Sequence, residues 1–525
     1  MPQKNIGLRV VLGTVVAVAL AGTVYLALRL PAAPEAPKAH FSLNLLARAP
    51  SDADAIRAAL TSGRPTPDKA AILDFYQQRS FTPAWTDAAG ARPNALGALR
   101  LLGDAAAQGL SPASYPVMPP PNGSDAPTRV AFELSLTGAL LRYSHDLHLG
   151  QTDAVAIYGS QAVSMPPRRI ERHYDAVPAL VNYAANGDAR AFIAGQEPAH
   201  PEYTRLKTAL ANYRSIATAG GWPEVEAAAR PTSTALARQL LAEGYLRQSD
   251  MSAATVKAAL RSYQERSGLA VTGTVDAATA QMLNVSADDR AAQIAANMER
   301  WRWMPPALGN RHIMVNVADA TLTFVADGQG TLVSRVVVGQ PDKQTPFLQT
   351  TVTAVTVNPV WHVPVSIIKS EILPHIAKDA GYLEAKHMTM EAGRVEQGAG
   401  PDNALGFAKL EMPNSLDVYL HDSPVKAAFL AQRRTLSHGC VRVELIRQLA
   451  SLVLYGDNAD TSRLDDLIAT GETSRQPVAS PLPVYFQYWT ALAGDDGTAM
   501  FREDVYQRDA QLIAALKEKS SAGQI

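Results

Sequence analysis

The chain has 525 residues, 48 basic against 49 acidic side chains for a formal net charge of −1, and a hydrophobic fraction of 47% against 18% charged. That length allows about three domains, the apolar fraction excludes wholesale disorder, and the near-zero charge argues against nucleic acid as main partner, which demands a basic stripe. A single cysteine, Cys440, excludes an intrachain disulfide framework and a cysteine-rich zinc module.

At the N-terminus, Lys4 and Arg9 precede an uncharged apolar run from Val10 to Leu28, which Arg29 closes. Such a run approaches the roughly 20 residues that cross a bilayer, and the leading positive charges predict the N-terminus inside. The expectation is an inner-membrane anchor with the remainder periplasmic. A cleaved signal peptide is the alternative, because Ala19-Leu20-Ala21 offers a small-residue cleavage site. The proline-spaced stretch from Pro31 to Pro37 is a stiff linker, so residues 1–40 read as anchor or signal plus linker.

Residues 41–228 read as a helical scaffold domain, with Ala and Leu recurring at three- and four-residue spacing, as from Phe132 to Tyr143. Pro116 to Pro127 is a loop inside it, and Phe75, Tyr76, Phe81 and Trp85 read as core aromatics. Residues 229–290 form a second unit of three short helices. Leu236, Leu240 and Leu241 lie on the first, Val256, Leu260 and Tyr263 on the second, and Ala277 to Leu283 on the third, with Asp276 as its N-cap. Gly244-Tyr245, Tyr263-Gln264, Gly268-Leu269 and Gly273, Asp276 and Thr279 resemble the small peptidoglycan-binding module of bacterial wall enzymes.

After a helical connector from Ala287 to Trp303 the period changes to two. Ile313, Val315 and Val317 alternate, then Leu322 and Phe324, then Leu332 to Val338, Thr351 to Val357 and Asp417 to Leu420. Many short strands predict a mostly-β domain over 291–509, interrupted by a helical window from Ser366 to Lys378. A short lid is expected over 370–413, a C-terminal hairpin over 482–506 turning at Asp495 to Gly497, and a tail over 510–525. The fold class is thus α+β and multidomain. No internal repeat, phosphate-binding loop or dinucleotide fingerprint is present.

The chemistry sits in Ser437-His438-Gly439-Cys440-Val441-Arg442. Gly439 permits a backbone shape that presents N–H groups to an oxyanion. A thiol is only a few per cent ionised near neutrality, so a nearby imidazole must take its proton. His438, two positions away, and His421, at the end of a strand, are the two candidates.

Tyr419-Leu420-His421-Asp422-Ser423-Pro424, Arg433-Arg434 and the Ser437 to Val443 run resemble the active-site motif of YkuD-type L,D-transpeptidases. The order of anchor, helical scaffold, wall-binding module and catalytic domain is similar to the large YcbB-like branch. Asn358 to Pro364, Val338 to Asp342 and Thr345-Pro346 match that branch too. The resemblance implies Cys440 as nucleophile and His421 as general base, with Asp422 orienting the ring through its backbone carbonyl. It also implies that His438 supports the loop, that the N–H groups of Gly439 and Cys440 hold the oxyanion, and that Arg442 binds a substrate carboxylate. Tyr419, Trp361 and Ser437 would line the pocket. Arg433 and Arg434 read as a solvated loop face, and His362, His375 and His387 as structural. Against the branch, the lid is short, with a glycine-rich Gln397 to Gly400, and His362 stands where asparagine is usual.

The implied reaction is acyl transfer from a peptidoglycan tetrapeptide stem through a cysteine thioester to a second stem, giving a 3→3 cross-link. A free D-amino acid or a lipoprotein lysine are other acceptors. Neither metal nor organic cofactor is implied; carbapenem acylation of the thiol is, and other wall synthases are partners the resemblance allows. Three alternatives remain open: the same site used as a carboxypeptidase or amidase, a zinc peptidase using His421, His438 and Cys440, and a non-catalytic peptidoglycan-binding scaffold.

Overall fold

Ile313 and Val315, alternating with Met314 and Asn316, begin a sheet that pairs back onto itself. The computed structural model describes residues 51–522 except 65, 123–124, 163–173, 249 and 458. The sheet is built from β1 (Arg311–Asn316), β2 (Thr321–Ala326), β3 (Gln329–Gly339), β4 (Leu348–Val357), β5 (Ala408–Glu411), β6 (Leu420–His421), β7 (Thr435–Ser437), β8 (Val441–Val443) and β9 (Ser474–Gln487). Their spatial order is β7-β3-β8-β6-β5-β4-β9-β1-β2, and β2 also pairs with β3. That last pairing closes β3, β8, β6, β5, β4, β9, β1 and β2 into a ring, with β7 added beside β3. Inward positions such as Phe324, Val336, Val355, Leu410, Leu420 and Val441 are fully buried. The period of two therefore sorts each strand into a core face and an outer face.

Two sequence expectations shift at this ring. Residues 484–487, expected in the C-terminal hairpin, belong to β9, which pairs with β4 antiparallel and with β1 parallel. Val484 and Phe486 gain full burial there, and the hairpin shrinks to Ala491–Ala493 against Ala499–Phe501. Likewise β5 lies in the ring and not in the lid, because Ala408 and Leu410 alternate into the core. The lid layer consists of residues 365–376, a helix with a π turn at Ile368–Ile372, and three short strands, Trp361–His362, Met388–Glu391 and Arg394–Gln397. Pro374 offers no N–H to the ladder and accounts for the local widening. Val363, Ile368, Ile372 and Val395 are its small core. The expected tail is a helix, Arg508–Ala522, whose Leu512 is buried in the ring's core.

The scaffold is helical as expected, around the helix Ala126–Leu149 with Asp125 capping it. Phe75, Tyr76 and Trp85 are buried. Buried Glu133 on this helix accepts from the backbone N–H groups of Ala84, Trp85 and Thr86 and from the Tyr76 hydroxyl at 2.6–3.0 Å. The wall-binding-like unit forms Thr234–Ala242, Ala253–Arg266 and Ala277–Leu283 around Leu236, Leu240, Leu260 and Tyr263, with Asp276 capping the third helix. The connector, Ala287–Arg302, ties the layers together. Arg300 pairs with Asp509 on the C-terminal helix at 2.6 Å, and Glu299 accepts from Thr152 of the scaffold at 2.7 Å.

The expected anchor over residues 10–28 lies outside the described residues. Among the described residues no helix is long and apolar enough to cross a membrane. The expectation of a chain held at the inner membrane by an N-terminal helix, with the rest periplasmic, is corrected on that finding.

Candidate active site

β6 and β8 run parallel, with Leu420 opposite Val441 and His421 opposite Arg442. Leu420 and Val441 face the core, so His421 and Arg442 share the outer face. Continuing the alternation brings Tyr419 and Cys440 to that same face, and the Val441 N–H donates to the Tyr419 carbonyl at 3.1 Å. Nineteen residues of chain thus fold back to set the imidazole beside the thiol's strand. The Tyr419 ring lies 5.5 Å from that of His421. The Cys440 sulfur donates to the Asp417 carbonyl at 3.6 Å, a carbonyl presented by a left-handed residue at φ 52°.

The loop before Cys440 is pinned from both sides. Ser437 Oγ donates to the Cys440 carbonyl at 2.6 Å and accepts from the Gly439 N–H at 3.2 Å. Thr345 Oγ1 donates to the Gly439 carbonyl at 2.8 Å and accepts from the Gly339 N–H at 2.9 Å. Gly439, at φ 116°, supplies a backbone shape that a side chain would strain. Its N–H is spent on Ser437, whereas no acceptor for the Cys440 N–H is found among the described residues. The pair of donors expected for an oxyanion is therefore reduced to one.

Electrostatics follow from burial. Burial pushes the Cys440 thiol up, while the Tyr419 backbone and hydroxyl and the Lys409 ammonium pull it down. His421 is depressed to about 3, first by burial and then by the Arg442 guanidinium, with Lys409 adding to the effect. The resting pair is therefore a neutral thiol and a neutral imidazole, the form that accepts a proton. The Asp422 backbone favours the protonated ring, although His421 Nδ1 has no hydrogen-bond partner of ordinary geometry among the described residues. The Asp422 carboxylate points elsewhere, to the Phe407 N–H at 3.1 Å and to Lys426.

His438 does not join the thiol. Its Nε2 lies 2.5 Å from Glu371 Oε1 on the lid helix, so the ring bridges loop and lid. Among the described residues no group of three or more His, Cys, Asp or Glu is set to hold a metal ion. The Arg442 side chain is half-buried and makes no hydrogen bond or ion pair among the described residues; Cys440 and Glu371 are the charges that act on it. Trp361 packs beside the lid core. Arg433 is exposed and pairs with Glu503 as a solvated face does. Arg434 departs from that expectation: half-buried, it donates to the carbonyls of Val336, Ala431, Asp319 and Ala320.

Sequence reasoning missed Lys409 and Glu371 at this site, and recorded Thr345 only as part of a motif. Thr345→Val is expected to leave the Gly439 carbonyl and the Gly339 N–H unpaired in a buried place, at a cost of about 2–4 kcal/mol. Denaturant titration checks this, and unchanged stability would remove Thr345 as the brace of the loop.

Residues 310–463 match the family model for the L,D-transpeptidase catalytic domain, YkuD. Residues 70–210 match a scaffold domain, and residues 230–283 a model described as "Putative peptidoglycan binding domain". A Haemophilus influenzae protein described as "Putative L,D-transpeptidase" is 32% identical over 244 residues, covering 42% of this chain and 49% of that protein. The chain thus spans about half the length of the curated relative it matches. Two solved structures are also similar: an Ldtfm–avibactam carbamoyl enzyme (TM-score 0.18, 12% identity, 38% of this chain and 63% of that one) and an L,D-transpeptidase fragment from Xylanimonas cellulosilytica (TM-score 0.18, 14% identity, 50% and 99%). Scores this low carry no weight for the fold. The match to residues 310–463, which contain the Cys440 loop, the His421 strand and Arg442, identifies an L,D-transpeptidase catalytic domain of the YkuD family, carried in one chain with a scaffold domain and a peptidoglycan-binding-type domain.

Proposed function

We propose that the protein is a cell-wall L,D-transpeptidase that forms 3→3 cross-links through a thioester on Cys440. The observation that carries this reading is the shared outer face of Tyr419, His421, Cys440 and Arg442 on the β6–β8 pair. Neutral His421 takes the Cys440 proton as the sulfur attacks the carbonyl of the third stem residue, a meso-diaminopimelate. The Cys440 N–H donates to the oxyanion, and the half-buried Arg442 fork meets a substrate carboxylate. The C–N bond to the terminal D-alanine breaks, and the protonated imidazole returns its proton to the leaving amine. The side-chain amine of a second diaminopimelate then attacks the thioester, its proton passes to His421, and an amide forms as the thiol is released. Ser437, Thr345 and Gly439 shape the loop; His438 couples it to the lid through Glu371. The same thiol is the atom a carbapenem would acylate. The wall-binding-type unit supports a peptidoglycan substrate.

Mass spectrometry of the purified protein and its Cys440→Ala variant, each incubated with disaccharide-tetrapeptide, tests this. The expected product is a dimer that has lost one D-alanine, absent with the variant. D-alanine loss without a dimer would convert the reading to hydrolysis, and product from the variant would overturn the thiol mechanism.

A further inference from the structure

Lys409 stands on β5 directly opposite His421. With Arg442 opposite His421 on the other side, the imidazole lies between two cations on one sheet face. The Lys409 Nζ sits 4.0 Å from the centre of the Tyr419 ring, and Tyr419 shares its face with Cys440, its carbonyl accepting from the Val441 N–H next to the thiol's residue and its hydroxyl favouring the thiolate. A lysine on a tyrosine can be mere packing of its stem. Here the row of charges argues otherwise. The carboxylate two residues along on the same face, Glu411, is held by Arg475 at 2.8 Å and by the Thr356 hydroxyl at 2.6 Å. Among the described residues Lys409 has no ion pair, and it is half-buried; its charge acts on Glu411, whose oxygens Arg475 and Thr356 already hold, and its ammonium rests on the ring. A cation over the phenol face makes the O–H a stronger donor, and a partly desolvated charge is poorly screened.

We propose that Lys409 is a positioning residue for the Cys440 nucleophile: seated on Tyr419, its ammonium holds the phenol on the face that carries the sulfur and sets a positive charge behind the forming thiolate. The inference deepens the transpeptidase reading and rests on Cys440 being the nucleophile. The other groups facing the sulfur act in known directions. Asp417 disfavours the thiolate, and the Tyr419 backbone favours it. Arg442 faces it from β8, His421 from β6, and Glu371 reaches Arg442 from the lid helix.

Because Cys440 is the one cysteine, the rate of iodoacetamide alkylation against pH reports on this thiol alone and needs no substrate. Lys409→Met is expected to move the profile to higher pH and slow alkylation at neutral pH by about 3–10-fold, with Lys409→Arg restoring most of it. In a Tyr419→Phe background the same substitution is expected to have a smaller effect. Lys409→Gln serves where Lys409→Met is too unstable to purify. An unchanged profile in a folded Lys409→Met protein overturns the proposal, as does an equal shift in the Tyr419→Phe background, which would make the cation act without the phenol hydroxyl. Since alkylation is read without peptidoglycan, failure here leaves the Cys440→Ala product test intact, and failure of that test is seen separately.

Discussion

His421→Gln is expected to lower the rate of D-alanine release about 10²–10⁴-fold, the usual worth of a positioned general base. It is also expected to change how stability depends on pH. The folded protein holds His421 at about 3, whereas the unfolded chain titrates it at 6.5. Above 6.5 both states carry a neutral ring and pH has no effect through this group. As pH falls below 6.5 the unfolded state binds a proton that the folded state refuses, so stability drops progressively toward about pH 3. At about pH 4.5 that loss is on the order of 2–3 kcal/mol, and the glutamine variant lacks it. Denaturant titrations of both proteins at neutral and acid pH measure the difference. Equal acid sensitivity would mean that the ring is not held neutral by burial. The rate profile of the unsubstituted protein should also lack an acid limb near 6.5.

Gly406→Ala is expected to be the most damaging small substitution near the site. Gly406 is buried at φ 61°, and a methyl built on it would lie 2.4 Å from Asp422 Cβ and Oδ2. The obstacle includes the root of a side chain whose far end is itself fixed by the Phe407 N–H and Lys426. Left-handed strain and overpacking together should cost roughly 2–4 kcal/mol. Relief requires Asp422 to shift, and His421 is its chain neighbour. A displacement of about 1 Å at the base can cost 10²-fold in rate, so activity should fall by more than the loss of folded protein explains. Tm together with the rate per folded molecule checks this. A variant with ordinary Tm and rate would show that the contact between the turn before β5 and the residue after β6 is free to adjust.

Glu371 and Lys409 show why part of the site could not be read from the chain. Each is an ordinary charged residue in an unremarkable local pattern, one on a helix and one on a strand. Glu371 becomes relevant because the lid helix sets it 2.5 Å from His438. Lys409 becomes relevant because the β5–β6 register sets it opposite His421 and because Arg475 has already taken Glu411. Neither fact is local in sequence. His421 and Cys440 were legible because their residue types carry the chemistry and their flanking residues form a family motif.

The alternation of Ile313, Val315, Leu322, Phe324, Val336 and Val338 by itself determined a β domain, because a period of two leaves a strand one face to bury. The three-helix unit and its Asp276 cap were likewise local, since capping and 3.6-residue periodicity act within a few residues. What only the tertiary structure decided was which strands pair. β9 enters the ring and takes the first half of the expected hairpin, and β5 leaves the expected lid, because each gains a paired strand on both edges that no nearby residue could provide. The same long-range pairing buries His421 between two cations and keeps it neutral. Burial and register are properties of the closed sheet, and from them come the proton affinities that the sequence could name candidates for but not assign.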